Sequence, residues 1–593
     1  MKNYLKLILT VSCAAVAFSG CEKFLDTESY TTRNTSNFPS SETDAIQLVT
    51  GVYAALNGSV YEPSASYWMA AMIASDECYG GGGIDDYDCQ ADDHLLYYEP
   101  DVHRDYWKEF FAGITRANMA IANLDKVENE ELRNQLLGEA YFLRSYFLFE
   151  LTQCFGEIPL TSSVPETVEE AKKYPAQASI EEIYGTIAAG LKKAIEIMPD
   201  KPWNQCVSGL RHATKWDAEG ILARVYLFYT GFYGDKNGTT LTTLPLVDLE
   251  TGELTSETVS KDYVVSKLKD CIDNSGHSLV SDFRLQWSYT NSATKADYPY
   301  AQTVDGTWII DAENPEEMFS ICCTNLASSS RFCNKYDQYL GVRKRSNWEV
   351  NAFPFGRGYG WATVNPYVWK QWDIEEPGDL RKVASIYNYE DECVPASAYT
   401  WGNDQQYEET GLWQKKYQTW GAMVDGKFFY EFSSVPEYGG TGTDLGRGHS
   451  PQNIQLLRFA DVLLMHSELT RTVDGINKVR ARVNLAPIGA YTDEALRMER
   501  KHELAFEAVR WGDMRRYGKA YAIAALETQL GQDIRNAGGE TVMKDQGAGY
   551  KARYEATYGF RPIPRSEISL SNGVLKQNEG WTDTASAQYA GWK

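Results

Sequence analysis

Carboxylates gather early in the chain, at Asp76-Glu77 and at Asp85, Asp86 and Asp88. Two carboxyl groups flanking a sugar linkage are the working parts of most glycoside hydrolases, and their separation in space, not in sequence, decides the chemistry. The simpler reading is a solvated turn, because Asp and Gly are turn formers. Calcium is a third reading for Asp86 and Asp88, but the EF-hand pattern breaks where Ala91 stands in place of its glycine. Other templates fail. His502-Glu503-Leu504-Ala505-Phe506 starts like a zinc-protease helix, yet Phe506 occupies the second histidine position. There is no G-x-x-x-x-G-K-[ST] phosphate cradle, and Gly440-Thr441-Gly442 leads into Gly446 at the wrong spacing, with no helical pattern behind it. Seven scattered His give no local metal cluster, so no metal or cofactor is expected.

Arg500, Glu503, Glu507 and Arg510 follow spacings of 3, 4 and 3, which stacks them on one face of a single helix. Arginines on each side would neutralise two glutamates that otherwise repel. That ladder suits a partly buried face against another helix, and it would keep both carboxylates ionised and poor as acids.

The 593 residues carry 57 Lys and Arg against 81 Asp and Glu, a net charge of −24, which makes nucleic acid a poor partner. The chain is rich in rings with polar edges, 16 Trp and 39 Tyr against 22 Phe, which suit half-wet contact surfaces. Residues 1–20 read as an export signal: Lys2 and Lys6, an apolar stretch from Leu7 to Phe18, then Ser19-Gly20-Cys21. Cys21 resembles a bacterial lipoprotein acylation site, with Phe18 a departure from the usual pattern; an ordinary secretory peptide containing a Cys is the alternative. Of the 11 Cys, nine remain after Cys13 and Cys21, and none shows C-x-x-C spacing. Cys78 and Cys89 bracket the Gly/Asp loop and have the spacing for a disulfide in an oxidising compartment, while Cys322-Cys323 read as small hydrophobes.

These residues need elements to position them. After a tether over 21–41, helical periodicity runs through Ala45 to Leu56, Tyr106 to Leu124, Leu132 to Phe155, Ile180 to Ile197 and Lys215 to Phe228. Glu139, Arg144 and Tyr146 recur 80 positions later as Glu219, Arg224 and Tyr226, as in the second helices of tetratricopeptide units. Two unrelated amphipathic helices would give the same pattern. Periodicity dissolves over 287–450, a stretch rich in Trp, Tyr, Gly, Asn and Pro. Helices are predicted again over Asn453 to Thr470, Asp474 to Val483 and Asp493 to Arg516. The fold class is mainly α. A helix-pair scaffold over 42–286 is interrupted by a loop-rich insert over 287–450 and completed by helices and a tail over 451–593.

Leu457-Arg458-Phe459-Ala460-Asp461-Val462-Leu463-Leu464-Met465, then Val479-Arg480-Ala481-Arg482, resemble successive motifs of the SusD/RagB family. Glu499 to Glu507, Arg510-Trp511-Gly512-Asp513-Met514-Arg515-Arg516, Arg561 to Ile568 and Gln577-Asn578 continue the match. The start Cys21-Glu22-Lys23-Phe24-Leu25-Asp26 and the run Trp107 to Asn118 agree with it. The resemblance implies a SusD-like, tetratricopeptide-like lipoprotein of the Bacteroidetes outer membrane. Such a protein is anchored by lipid, faces outward and acts without catalysis as the lid of a SusC-like TonB-dependent β-barrel. Its cargo is implied to be an oligosaccharide or polysaccharide. A peptide or other nutrient is the alternative, and a surface glycoside hydrolase the next.

Family motifs are scaffold and do not name ligand contacts. In relatives those come from the loop after the first helices and from the insert. Here the two stretches offer Tyr67, Trp68, Tyr79, Asp85, Tyr87 and Asp88, then Trp287, Tyr289, Arg343, Trp348 and Trp361. Pyranose faces stack on aromatic rings and sugar hydroxyls need planar polar partners. Trp348 and Tyr87 are therefore expected as platforms, with Asp85 and Arg343 as polar partners. Each tryptophan also reads as a loop-packing anchor. Gly80 to Gly83 are expected either to hinge the loop or to form a flexible turn.

Overall fold

Two helices of the scaffold begin at reciprocal caps. The Glu182 N–H donates to Ser179 Oγ at 3.3 Å and the Ser179 N–H to the Glu182 carboxylate at 2.8 Å. Thr214 and Asp217 repeat this at 3.4 and 2.7 Å. Each box satisfies two backbone donors that a helix start leaves open. The computed structural model describes residues 38–581, apart from 94–100, 162, 165–166, 172, 207–211, 293–294, 299, 311–312, 325–332, 344–356, 393–398, 419–420, 425–426, 431–449 and 545–548. The helices used below are α1 (Glu42–Tyr61), α2 (Tyr67–Ala74), α3 (Tyr87–Asp93), α4 (Arg104–Asn123), α5 (Glu130–Phe155), α6 (Ile180–Ile197), α7 (Lys215–Phe228) and α8 (Lys261–Asn274). The insert contributes α9 (Pro366–Glu375), and the C-terminal part α10 (Phe459–Thr470), α11 (Asp474–Arg482), α12 (Asp493–Glu503) and α13 (Arg510–Arg516).

Neighbours in sequence are neighbours in space. α1 packs on α4, α4 on α5, α5 on α6, α6 on α7 and α7 on α8, and α8 carries the stack onward to α10 and α11. Gly113 permits the first of these contacts, since a Cβ there would lie 2.7 Å from both Ala55 and the Phe147 ring. The recurring triplets lie on α5 and α7 and reach different partners. Arg144 donates to Asn118 at 3.0 Å, and Arg224 to Asp461 at 2.6 Å and to the Leu456 carbonyl at 2.8 Å. This is the stacked helix-pair architecture the 80-residue repeat suggests.

Among the described residues strands are short and pair only two by two. β1 (Thr243–Val247) and β2 (Leu254–Ser260) form a hairpin between α7 and α8. β3 (Glu317–Ile321) pairs antiparallel with β4 (Ile454–Arg458), Ile454 opposite Ile321 and Arg458 opposite Glu317. The second pair corrects the expectation of a helix from Asn453. Every residue of β4 is buried and all but Leu456 pair with β3, and the helix starts only at Phe459.

A second correction concerns Asp493 to Arg516. The predicted single helix breaks after Glu503, where Phe506 and Ala508 both adopt left-handed backbone with φ 61°. The segment is tied down from outside: the Phe506 N–H donates to Glu77 at 3.2 Å, and Arg510 forks onto both Asp76 oxygens at 2.7 Å. The four-residue ladder therefore does not share one face. Arg500 serves Asp461 and Asp513 at 2.6 and 2.7 Å. Glu503 accepts from Arg381, Arg458 and Arg482, and Glu507 from Arg458 and Lys416. Burial alone would raise the Glu503 pKa, but Arg482, Arg458 and Arg381 together hold it far below the carboxylate range.

Candidate ligand-binding site

Backbone pairing fastens the Gly80–Gly83 loop to the insert. The Tyr79 N–H donates to Thr363 at 2.8 Å, Ala362 to Gly80 at 2.9 Å, Gly82 to Gly360 at 2.7 Å and Tyr407 to Gly82 at 2.8 Å. Gly81 and Gly82 have φ of 68° and 71°, and a Cβ at Gly82 would sit 2.7 Å from the Asp86 carboxylate. These glycines allow close approach rather than hinging. Cys78 and Cys89 are free thiols, not a disulfide, and Cys89 Sγ donates to the Asp86 carbonyl at 3.0 Å. Of the other pair, Cys322 is exposed and Cys323 half-buried, so Cys322 does not pack as a small hydrophobe.

Arg343 completes the junction. Its Nη1 donates to Asp86 at 2.9 Å and to the Tyr359 carbonyl at 3.0 Å, and its Nε to the Asp404 carbonyl at 2.9 Å. Burial raises the Asp86 pKa, against the opposing Gly83 N–H and Arg343. Around this junction Asp85 is exposed, Ile84 is 53% and Tyr87 43% exposed, and Trp361 lies beneath, edge-on to Tyr339 at 5.1 Å. Asp88 faces elsewhere, toward Ser64 and His103, and burial pushes it up to about 6.

The remaining expected residues separate from this group. Tyr67 and Trp68 on α2 are buried, and Trp68 meets Tyr336 and Tyr417 edge-on at 4.6 and 5.2 Å. Trp287 is 0% exposed against Tyr417 at 5.7 Å, and the Tyr289 hydroxyl donates to the Ala384 carbonyl at 2.8 Å. Trp287 and Tyr289 anchor the insert, because irregular chain without a helical stripe must bury large side chains to be held in place, whereas Tyr67 and Trp68 pack the helix α2. Trp287 and Tyr289 offer no open face, Trp361 is likewise a wall, and Tyr67 and Trp68 line a separate small cavity of about 60 Å³ with Glu150 and Arg224. Trp348 lies outside the described residues.

The sequence reading missed a neighbouring cluster. Tyr389, Tyr399 and Trp401 are half-buried, with centroids 4.6, 4.9 and 5.1 Å apart, and Arg535 lies over Trp401 at 3.9 Å. The Tyr399 hydroxyl donates to Glu409 at 2.6 Å and the Gly402 N–H to the same carboxylate at 2.6 Å. Burial pushes Glu409 up to about 7 against those two donors. Residues 401–409 run without interruption from this cluster past Arg343 to the Gly82 pairing. Within them Asp404, Gln405 and Glu408 hold left-handed backbone, with φ of 53°, 59° and 47°. Such conformations cost of order 1–3 kcal/mol each and gather at sites the fold must shape. The available signal was Tyr399-Thr400-Trp401-Gly402-Asn403-Asp404, two aromatics running into turn residues.

This face is equipped to stack on flat apolar surfaces and to hydrogen-bond around them. The carboxylate pair at Asp76-Glu77 is not part of it: Asp76 is locked to Arg510, and burial pushes Glu77 up to about 8 beside Asp76. Among the described residues no group of three or more His, Cys, Asp or Glu is arranged to hold a metal ion. His502 is structural, its ring stacked 4.4 Å from Trp372 on α9 and its Nε2 2.9 Å from Glu375.

Two family profiles match. One, described as "Starch-binding associating with outer membrane", covers residues 23–227, and another, the SusD family, covers 332–581. Together they span well over half of the chain. The chain belongs to the SusD/RagB family. The SusD-like protein P2 of Formosa agariphila is 23% identical over 502 residues, 80% of each chain. A laminarin-binding SusD-like protein superposes with TM-score 0.65 at 21% identity, over 91% of this chain and 100% of its own. Surface glycan-binding protein A of Bacteroides thetaiotaomicron, in complex with laminarihexaose, gives 0.63 at 15% identity, over 91% and 99%. The SusD-like fold therefore holds across nearly the whole chain. Among the described residues no helix is long and apolar enough to cross a membrane.

Proposed function

We propose that this SusD-like chain binds an oligosaccharide without catalysis, at the outer surface of the outer membrane, as the lid of a SusC-like TonB-dependent barrel. The observation that carries the reading is the half-buried cluster of Tyr389, Tyr399 and Trp401 with Arg535 at 3.9 Å over the indole. Rings fixed in this way keep apolar faces for pyranose C–H patches and lose little entropy on binding. Asp85, Tyr87 and Arg343 supply the polar rim. A lipid on Cys21 and the tether over 21–41 hold the scaffold at the membrane; multiple acyl chains anchor stably where one would not. Relatives named for laminarin and surface-glycan binding support a glucan-type cargo.

The test is isothermal titration calorimetry of the chain from Glu22 onward against laminarin, starch, mannan and a peptide mixture. Saturable heat with a polysaccharide and none with peptides is expected. Heat with peptides alone would replace the glycan by peptide cargo, and turnover of any polysaccharide would replace the lid by an enzyme.

A further inference from the structure

A second cleft, of about 340 Å³, shares no lining residue with the ligand face. It lies where the C-terminal ends of α7 and α10 meet the start of α8 and one side of α12. Its volume falls in the range of about 300–1,000 Å³ typical of small-ligand sites. In a chain of net charge −24, this cleft is lined by four cations, Lys261, Arg471, Arg497 and Arg516, against two carboxylates, Glu468 and Asp493.

The carboxylates are already engaged. Arg516 donates to Glu468 at 2.8 Å and turns its Nε to Asp513 at 2.8 Å, and Arg471 pairs with Asp493 at 3.1 Å. Arg497 is different. Among the described residues no carboxylate lies within ion-pair distance of it. Its guanidinium is instead held over Tyr517 at 4.4 Å and Tyr521 at 5.1 Å. A guanidinium fixed by ring faces keeps its N–H edges for a planar, two-oxygen acceptor. Tyr491 stands beside it, with Arg471 over its ring at 4.9 Å.

The backbone around the cleft is unusual at two independent places. Tyr229–Tyr233 forms a π-turn at the end of α7, and Arg471 adopts left-handed backbone with φ 56°. Such turns and such non-glycine conformations concentrate at functional sites.

We infer that this cleft is a second binding site, for a carboxylate-bearing saccharide, in which Arg497 receives the uronate carboxylate and the Tyr491 ring flanks the sugar. Concavity and tyrosine lining favour a saccharide over an acidic segment of a partner protein.

Calorimetry with trigalacturonate, its trimethyl ester and a tri-glutamate peptide tests this on the chain from Glu22 onward. Trigalacturonate is expected to bind at least tenfold more tightly than either control, with affinity falling as salt rises. Arg497→Gln is expected to lose at least tenfold and Arg497→Lys to recover part of it. Thermal melts of the Arg497 variants check that they fold; Tyr491→Ala, with a several-fold loss, gives a second reading. No heat with trigalacturonate, equal binding of the ester, preference for the peptide, or full affinity in folded Arg497→Gln would each overturn the assignment.

Discussion

Arg535 lies 3.9 Å over the Trp401 indole, and its backbone pairs with Glu409 in both directions at 2.8 Å. The ring is thus fixed by a segment more than a hundred residues away in the chain. A guanidinium over an indole contributes about 0.5–1 kcal/mol at exposed sites and more when desolvated. Arg535→Ala should therefore loosen Trp401 without unfolding the protein. The expected result is a three- to tenfold loss of glycan affinity by calorimetry, with the melting temperature within about 2 °C of the parent.

Arg343 ties Asp86, beside the Gly80–Gly83 loop, to the insert: it donates to Asp86 at 2.9 Å and to the Tyr359 and Asp404 carbonyls of the insert at 3.0 and 2.9 Å. Arg343→Met leaves half-buried Asp86 without its cation, at a cost of about 1–3 kcal/mol. Faster amide hydrogen exchange at Gly82 and Tyr407 is expected, with the helical scaffold unchanged. Adding Asp86→Asn should restore part of the protection; unchanged exchange would show that the backbone pairs alone hold the loop.

Glu503 holds three buried arginines together. Removing one member of a buried ionic network costs about 3–5 kcal/mol, so Glu503→Gln should lower stability by that order in urea unfolding. The folded pKa of Glu503 is depressed. Its contribution is present above the unfolded carboxylate pKa and is lost as pH falls through the folded value. The gap between parent and variant should narrow on acidification below pH 4.5.

Glu219 has the opposite sign. Burial, then Asp270, pushes its pKa up to about 9. The folded chain therefore keeps a proton that the unfolded chain has released, and stability falls as pH rises from about 4.5 to 9. Glu219→Gln should melt near the parent at pH 5 and above it at pH 8, the gap growing by at most about 1.4 kcal/mol per pH unit. A gap that shrank over that range would contradict the burial argument.

How much of this was legible in the sequence follows from what each residue depends on. α6 and α7 start and stop where their caps and periodicity place them, because both signals are local. The break after Glu503 was invisible, since Asp76 and Glu77 enforce it from more than four hundred positions away. β4 was missed for the same reason: its apolar run becomes a strand only because β3 pairs with it. Trp287 and Trp401 look alike as letters in a turn-rich stretch, yet one is enclosed against Tyr417 and the other lies half-open under Arg535. Asp85 and Tyr87 stand in a Gly/Asp stretch that already described a turn, whereas Arg343 reaches Asp86 from 257 positions away and no local signal marks that contact.

On the proposed function, the Tyr389–Tyr399–Trp401 cluster is the glycan platform. The direct measurement is calorimetry of Trp401→Ala beside the parent, with the best-binding polysaccharide and matched thermal melts. A loss of at least tenfold, about 1.4 kcal/mol, at unchanged melting temperature is the predicted result. Parental affinity in a folded Trp401→Ala chain would contradict it and move the platform to another part of the insert.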